Sequence, residues 1–225
     1  KDFIILNNKI QQKRSVRYTP KWHLIENFNE LQTIPNKHDF YVKRGIGSGG
    51  FTVFKLDTLQ GNEKFSDLLN LSDERYLEEK EYGECMSIQL CKTDSQCIVF
   101  GLTKQHIKEE KEFCGAEIID INILSKNLFL REKLHTCIND LCEKLLSSYT
   151  GFFGIDFIYD EKNQTFGFLE GNIRLTAMTI PTLIYNKNSL QHIFKEDVDK
   201  EAIKESDLIL GYDTAYKCYD ILTNE

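Results

Sequence analysis

Two apolar runs separated by a short polar linker, residues 151–160 and 166–175, restrict this chain more than any other feature. Both are aromatic-rich and strand-like, so they read as the arms of a β-hairpin joined by the loop 161–165. On the second arm, period-two alternation puts Leu169, Gly171, Ile173 and Leu175 on one face. Phe168, Glu170, Asn172 and Arg174 fall on the other. With Asp160 paired to Phe166 across the loop, Asp156 lies directly opposite Glu170. Facing carboxylates repel in a ladder, and a bound divalent cation would relieve that repulsion. Oxygen donors without His or Cys favour Mg²⁺ or Mn²⁺ over Zn²⁺. The plainer alternative is an amphipathic hairpin with a solvated polar face. A carboxylate, an amide and a guanidinium in one row, with Asp156 in register, weigh against it.

The 225 residues fit one large domain or two small lobes, and the composition is ordinary for a globular protein. A net charge of −7 argues against a nucleic-acid surface. No apolar run is long enough to span a bilayer, and the opening residues are too short an apolar run for an export signal. The seven cysteines are an odd count scattered through apolar segments, which points to reduced thiols in a cytoplasmic setting. Cys85, Cys91 and Cys97 read as packing residues.

Along the chain, residues 3–6 suggest a short strand, and the basic run 9–17 a solvated helix face. A short helix is expected at 27–31. Residues 39–44 read as a strand that enters Gly45-Ile46-Gly47-Ser48-Gly49-Gly50 and leaves through a second strand, 51–56. Glycines let backbone N–H groups approach phosphate oxygens closely, and Lys43 adds a positive charge at the end of the entering strand. A Walker loop or a dinucleotide fingerprint requires a following helix, and this loop is followed by a strand. A kinase loop lies between strands, but no HRD or DFG follows. What remains is a flap between strands that closes over a nucleotide, with a flexible surface hairpin as its alternative. Residues 65–71 read as a helix. Residues 75–87 start as a strand and turn at Gly83, and their acids either form a solvated loop or line a nucleotide pocket. Strands are expected at 85–91 and 96–102, joined at 93–95. A long helix capped by Ser125 follows, with Leu130, Leu134, Ile138, Leu141 and Leu145 on its apolar stripe. The remainder after Leu175 reads as mostly helical, with a break near Gly211.

This order of parts resembles the ATP-grasp superfamily: a strand ending in Lys43, a glycine-rich flap, an acidic Leu77-Glu78-Glu79 segment, a long helix, then GIDFIYD and FLEGNIRLT. The resemblance covers nearly the whole chain from about Tyr18. It implies an α+β fold with two lobes holding ATP between them, and an enzyme that joins a carboxylate to an amine through an acyl phosphate. By resemblance, Asp156, Glu170 and Asn172 hold Mg²⁺ or Mn²⁺. Lys43 contacts the ATP phosphates, and the backbone of Gly47, Ser48, Gly49 and Gly50 covers them. Glu78, Glu79, Lys80 and Glu81 form the adenine hinge, Glu84 is a ribose candidate, and Arg174 steadies the acyl phosphate or the tetrahedral intermediate. The implied division is a segment 1–17 left from a preceding domain, a lobe 18–80 with the flap, and a lobe 81–225 with the metal site.

There are departures from the family pattern. Members usually carry a Rossmann-like domain ahead of the grasp lobes, and this chain starts too late to contain it. The second phosphate lysine has only Lys9 or Lys13 as candidates. The hinge is a residue short. Gly154 stands where many members have a basic residue, with Lys104 as a substitute. The partners expected are small carboxylate and amine substrates, amino acids or peptides, with neither nucleic acid nor membrane, and a homodimer as one assembly. The competing readings are a nucleotide-binding module whose catalysis is lost or delegated, and a phosphotransferase.

Overall fold

The structure, a computed structural model, describes residues 2–27, 29–47, 52–59, 74–108 and 112–186. Two antiparallel sheets organise them. The first holds β1 (Trp22–Leu24), β2 (Phe40–Arg44), β3 (Val53–Lys55) and β4 (Arg75–Glu79) in the order β1-β4-β2-β3. The second holds β5 (Glu84–Lys92), β6 (Cys97–Lys108), β7 (Glu112–Ile119), β8 (Gly151–Asp160) and β9 (Thr165–Asn172) in the order β7-β6-β5-β8-β9. The helices are α1 (Asp2–Leu6), α2 (Lys9–Ser15), α3 (Glu30–Thr33), α4 (Leu56–Leu59), α5 (Ile123–Lys126), α6 (Leu128–Lys144) and α7 (Thr179–Tyr185). The α+β class expected from the sequence is the class observed.

The long helix α6 supplies the main core. Leu130, Leu134, Cys137, Ile138 and Leu141 recur every three or four residues. They pack on one face of the second sheet against Met86, Ile88, Leu90, Phe153, Ile155 and Phe157. The helix starts at Asn127, not at Ser125: the Asn127 Oδ1 accepts from the Leu130 amide at 3.0 Å, and its Nδ2 donates to Tyr159 at 2.6 Å. Ser125 lies in the short turn α5 that precedes the cap. Residues paired across an antiparallel ladder share a face. Ser87 faces Asp156, and Asp156 faces Glu170, so these three stand on the face turned away from α6.

The hairpin closes one residue earlier than expected, with Asp160 opposite Thr165 and Phe157 opposite Phe168. A bulge then sets Leu169 aside and restores Asp156 opposite Glu170. The bulge also corrects the face of Phe168. This side chain is fully buried in the α6 core, while Glu170 emerges on the other side.

Several local expectations change. Residues 3–6 fall in α1 rather than a strand. The basic run does form a helix, but Lys9, Ile10, Gln12 and Lys13 are buried rather than solvated. The helix expected at 27–31 starts later, as α3, and shares only residues 30 and 31 with that expectation. Strand β7 was not expected. The helix expected at 65–71 and the break near Gly211 lie outside the described residues, and α7 is the described part of the helical remainder. No helix among the described residues is long and apolar enough to cross a membrane.

Candidate active site

The face of the second sheet opposite α6 carries a connected polar cluster. Asp156 accepts from the Gln105 Nε2 at 3.0 Å, from the Asn172 Nδ2 at 2.9 Å, and from Ser87. Burial and the neighbouring Glu170 charge push its carboxyl up to about 6, while those donors pull the other way. Burial works to raise Glu170 as well, but Lys9, then Lys43 and Arg174, outweigh it and hold Glu170 below the ordinary range. The Lys9 Nζ stands 2.5 Å from the Glu170 Oε2. The row continues outward: the exposed Arg174 donates through Nη2 to the Asn172 Oδ1 at 3.0 Å. Among the described residues no cluster of three or more His, Cys, Asp or Glu side chains gathers. The acids come as a pair, and the third oxygen at hand is the Asn172 amide. Two half-buried carboxylates whose charges oppose each other, with an all-oxygen donor set, fit a hard divalent cation.

A second charged group lies where the two sheets meet. Glu78, inside β4 and almost fully buried, is held between the ammonium groups of Lys43 and Lys13. Burial alone would raise Glu78; the two ammoniums reverse the direction and lower it. Lys13 is lowered by its own burial, against the pull of Glu78. Helix α2 brings these lysines in. Its Gln12 carboxamide, fully buried, donates to the Gly171 carbonyl at 2.6 Å and accepts the Gly171 amide at 2.8 Å, closing the edge of β9 as a strand would. Lys9 and Lys13, one turn apart, share the helix face that this bridge turns toward Glu170 and Glu78. The Lys9 amide donates to the Gly45 carbonyl at 2.7 Å, which ties α2 to the base of the flap.

The other expected site residues divide. Lys43 lies at the cleft, with its ammonium 5.6 Å from the Tyr41 ring centre. Gly47 has a φ of 157°, and a Cβ there would meet Thr52 at 2.2 Å, so the entry to the flap requires glycine. Ser48, Gly49 and Gly50 lie outside the described residues. Glu78, expected in the hinge, is the partner of the two lysines. Glu79 pairs with Lys21 at 3.2 Å, and the Lys80 amide donates to the Asp39 carbonyl at 2.7 Å. Glu81 sits over Gly167, where a Cβ would meet its Cγ at 2.9 Å. Glu84 and Lys104 do not join the site. Glu84 pairs with Tyr159 and Lys104 with Met86, which puts both on the α6 face of the sheet, where they form an ion pair with each other.

The family model for the ATP-grasp domain matches residues 8–178. The chain belongs to the ATP-grasp family. No curated protein matches the sequence, and several solved structures resemble its fold. The biotin carboxylase domain of Hydrogenobacter thermophilus 2-oxoglutarate carboxylase, solved with MgADP, ADP and bicarbonate, superposes with a TM-score of 0.58 at 18% identity, over 86% of this chain and 46% of that one. Carboxyaminoimidazole ribonucleotide synthase from Aspergillus clavatus, complexed with ATP, gives 0.56 at 15%, over 76% and 45%. An ATP-grasp superfamily protein from Archaeoglobus fulgidus gives 0.52 at 16%, over 87% and 55%. At these identities the likeness concerns the fold, and this chain spans about half the length of those structures.

Within the ATP-grasp frame, Lys9 and Lys13, the two candidates for the second phosphate lysine, both reach the site. The sequence reading missed the other residues that support it: Gln12, Ser87, Gln89, Gln105 and Thr176. One signal was present, since the polar Ser87 and Gln89 alternate inside the apolar run of β5. Gly154, the position where a basic residue was expected, instead leaves room for neighbours. A Cβ there would meet Thr176 at 2.9 Å and the Gln89 carboxamide at 3.4 Å.

Proposed function

We propose that this chain is the ATP-binding catalytic unit of a carboxylate–amine ligase. The observation that carries the reading is the half-buried pair Asp156–Glu170, with Asn172 and Arg174 in line on one side and Lys9, Lys13 and Lys43 on the other. Asp156, Glu170 and the Asn172 oxygen would hold Mg²⁺ or Mn²⁺, which when bound neutralises charge on the β- and γ-phosphates. Lys43 and Lys13 meet phosphate oxygens, and Glu78, paired with both, aims them. The substrate carboxylate attacks the γ-phosphorus, the bond to the β-phosphate oxygen breaks, and ADP leaves. Arg174 holds the anionic oxygens of the acyl phosphate by paired N–H donors. The amine then attacks the acyl carbon and expels phosphate, leaving an amide. The MgADP and ATP held by the solved relatives support the same cofactors here. Small carboxylates and amines, amino acids or peptides among them, are the substrate class, and a cytoplasmic setting belongs to the same proposal. The test is ATP turnover with candidate acids labelled with ¹⁸O in the carboxylate. The expected products are ADP, amide and phosphate carrying one label. AMP as product, or ADP with unlabelled phosphate, overturns the ligase reading; the second outcome fits a phosphotransferase or a module with delegated catalysis.

A further inference from the structure

Gln89 lies at the centre of β5, almost fully buried, and takes no part in the chemistry above. Its neighbours in the ladder are Gly101 on β6 and Gly154 on β8, so its side chain lies in a trough between two positions that lack a Cβ. That trough lets the segment after β9 settle onto the sheet. A Cβ on Gly101 would meet Thr182 at 2.6 Å, and one on Gly154 would meet Thr176 at 2.9 Å. The carboxamide is held at both ends, which fixes its orientation. Its Oε1 accepts from the Thr176 hydroxyl at 2.6 Å and from Thr179 at 3.4 Å, and its Nε2 donates to the Ser87 hydroxyl at 2.9 Å. Ser87 stands opposite Asp156 in the ladder and hydrogen-bonds it. Each group donates to the next, from Thr176 through Gln89 and Ser87 to the carboxylate. Thr176 is two residues beyond Arg174, and its own amide donates to Thr179 at 2.8 Å.

We propose that Gln89 is a positioning residue that fixes the Asp156 carboxylate and the Arg174-bearing segment relative to each other, through Ser87 on one side and Thr176 on the other. The proposal rests on the reading of Asp156 and Glu170 as cation ligands. A buried carboxamide suits this role because it donates in one direction and accepts in the other without carrying a charge. Partners that orient a metal ligand typically govern about 10–100-fold in metal affinity or activity.

The test measures Mn²⁺ binding to the full chain by electron paramagnetic resonance in the presence of ADP, alongside ADP affinity in EDTA. Gln89→Met keeps the volume and removes all three of these hydrogen bonds. It should weaken Mn²⁺ by roughly 10-fold or more while leaving ADP affinity in EDTA nearly unchanged. Thr176→Val should reproduce the loss, and Thr176→Ser should restore most of the binding. The Gln89→Met/Thr176→Val double variant should lose no more than the worse single, because both cut one relay. Unchanged Mn²⁺ affinity in Gln89→Met, or losses that multiply in the double variant, overturns the proposal. An equal loss of ADP affinity in EDTA also overturns it, since it marks general structural damage. Glu170→Gln separates this from the underlying reading. If Glu170→Gln abolishes Mn²⁺ binding and Gln89→Met does not, the positioning role alone falls. If Glu170→Gln binds Mn²⁺ normally, the cation reading itself falls.

Discussion

Replacing Glu78 by Gln removes one charge from the junction between the sheets and leaves the shape intact. Glu78 balances two ammonium groups, so the trio passes from a net +1 to +2 with Lys13 wholly enclosed. Removing one partner of a buried charge pair costs about 3–5 kcal/mol. For a chain of this size that corresponds to roughly 6–20 °C in Tm. The penalty has a pH signature. Burial already lowers Lys13, and without Glu78 it falls further. A base whose folded pKa lies below its unfolded value, about 10.4, carries its full cost below the folded pKa. The cost is relieved as pH rises toward the unfolded pKa. The gap in Tm between parent and Glu78→Gln should therefore narrow between neutral and alkaline pH. Saturating MgADP should also raise Tm more in the variant than in the parent, because its phosphates supply the missing negative charge. Thermal unfolding with and without MgADP at two pH values checks all three points. A nucleotide-free Tm within about 2 °C of the parent, less than 1 kcal/mol on the same scale, would refute the charge-balance argument. So would equal MgADP shifts in the two proteins.

Three further outcomes follow from the same geometry. Lys43→Met should weaken ATP by at least tenfold more than it weakens adenosine, since a point charge on phosphate is lost; competition binding with both ligands reads the difference. Asp156→Asn should stabilise the nucleotide-free fold at pH 8. The raised pKa means that ionising Asp156 costs stability as pH rises from the unfolded value, about 3.9, through the folded one, about 6, so thermal unfolding at acid pH and at pH 8 should show the gain growing with pH, together with lost Mn²⁺ binding. Asp140→Asn should lower Tm by several degrees. Its carboxylate takes the Arg17 amide at 3.0 Å, the Arg17 Nε at 2.9 Å and the Lys144 Nζ at 2.8 Å. Burial opposes these partners, but they hold Asp140 well below the usual carboxylate range. The contribution is therefore full above the unfolded value, about 3.9, and fades as pH falls toward the folded one, so parent and variant should converge in acid.

What the sequence made legible was local. The aromatic hairpin, the apolar stripe of α6 and the strand–glycine–strand order around Lys43 are each written within about twenty consecutive residues, and each is where it was expected. What it hid was tertiary. A basic run such as 9–17 has the composition of a solvated helix. Nothing local reveals that Lys9 meets a carboxylate at position 170 or that Lys13 meets one at 78. The same holds for Glu84 and Lys104. Their chemistry suited ribose and an acyl phosphate, but the ladder through Tyr159 and Met86 turns them to the helix side. Side-chain type told what a residue can do, and strand register told which face it does it on.

Register is also where a correct pairing rested on an incomplete reason. Strict alternation through residues 166–172 would force a choice. If Phe166 and Phe168 face the core, then Glu170 and Asn172 follow them into it. If the polar row faces the cleft, then Phe168 is stranded there with it. The bulge at Leu169 removes the conflict by spending one unpaired residue. On its turn side Phe166 stacks on Phe157, with ring centres 5.2 Å apart, and Phe168 is sealed against α6. On its far side Glu170 and Asn172 face Asp156 and Gly154. A one-residue slip flips every later side chain to the opposite face, so this bulge decides whether the carboxylate pair exists at all. The site depends as much on that irregularity as on the acids themselves.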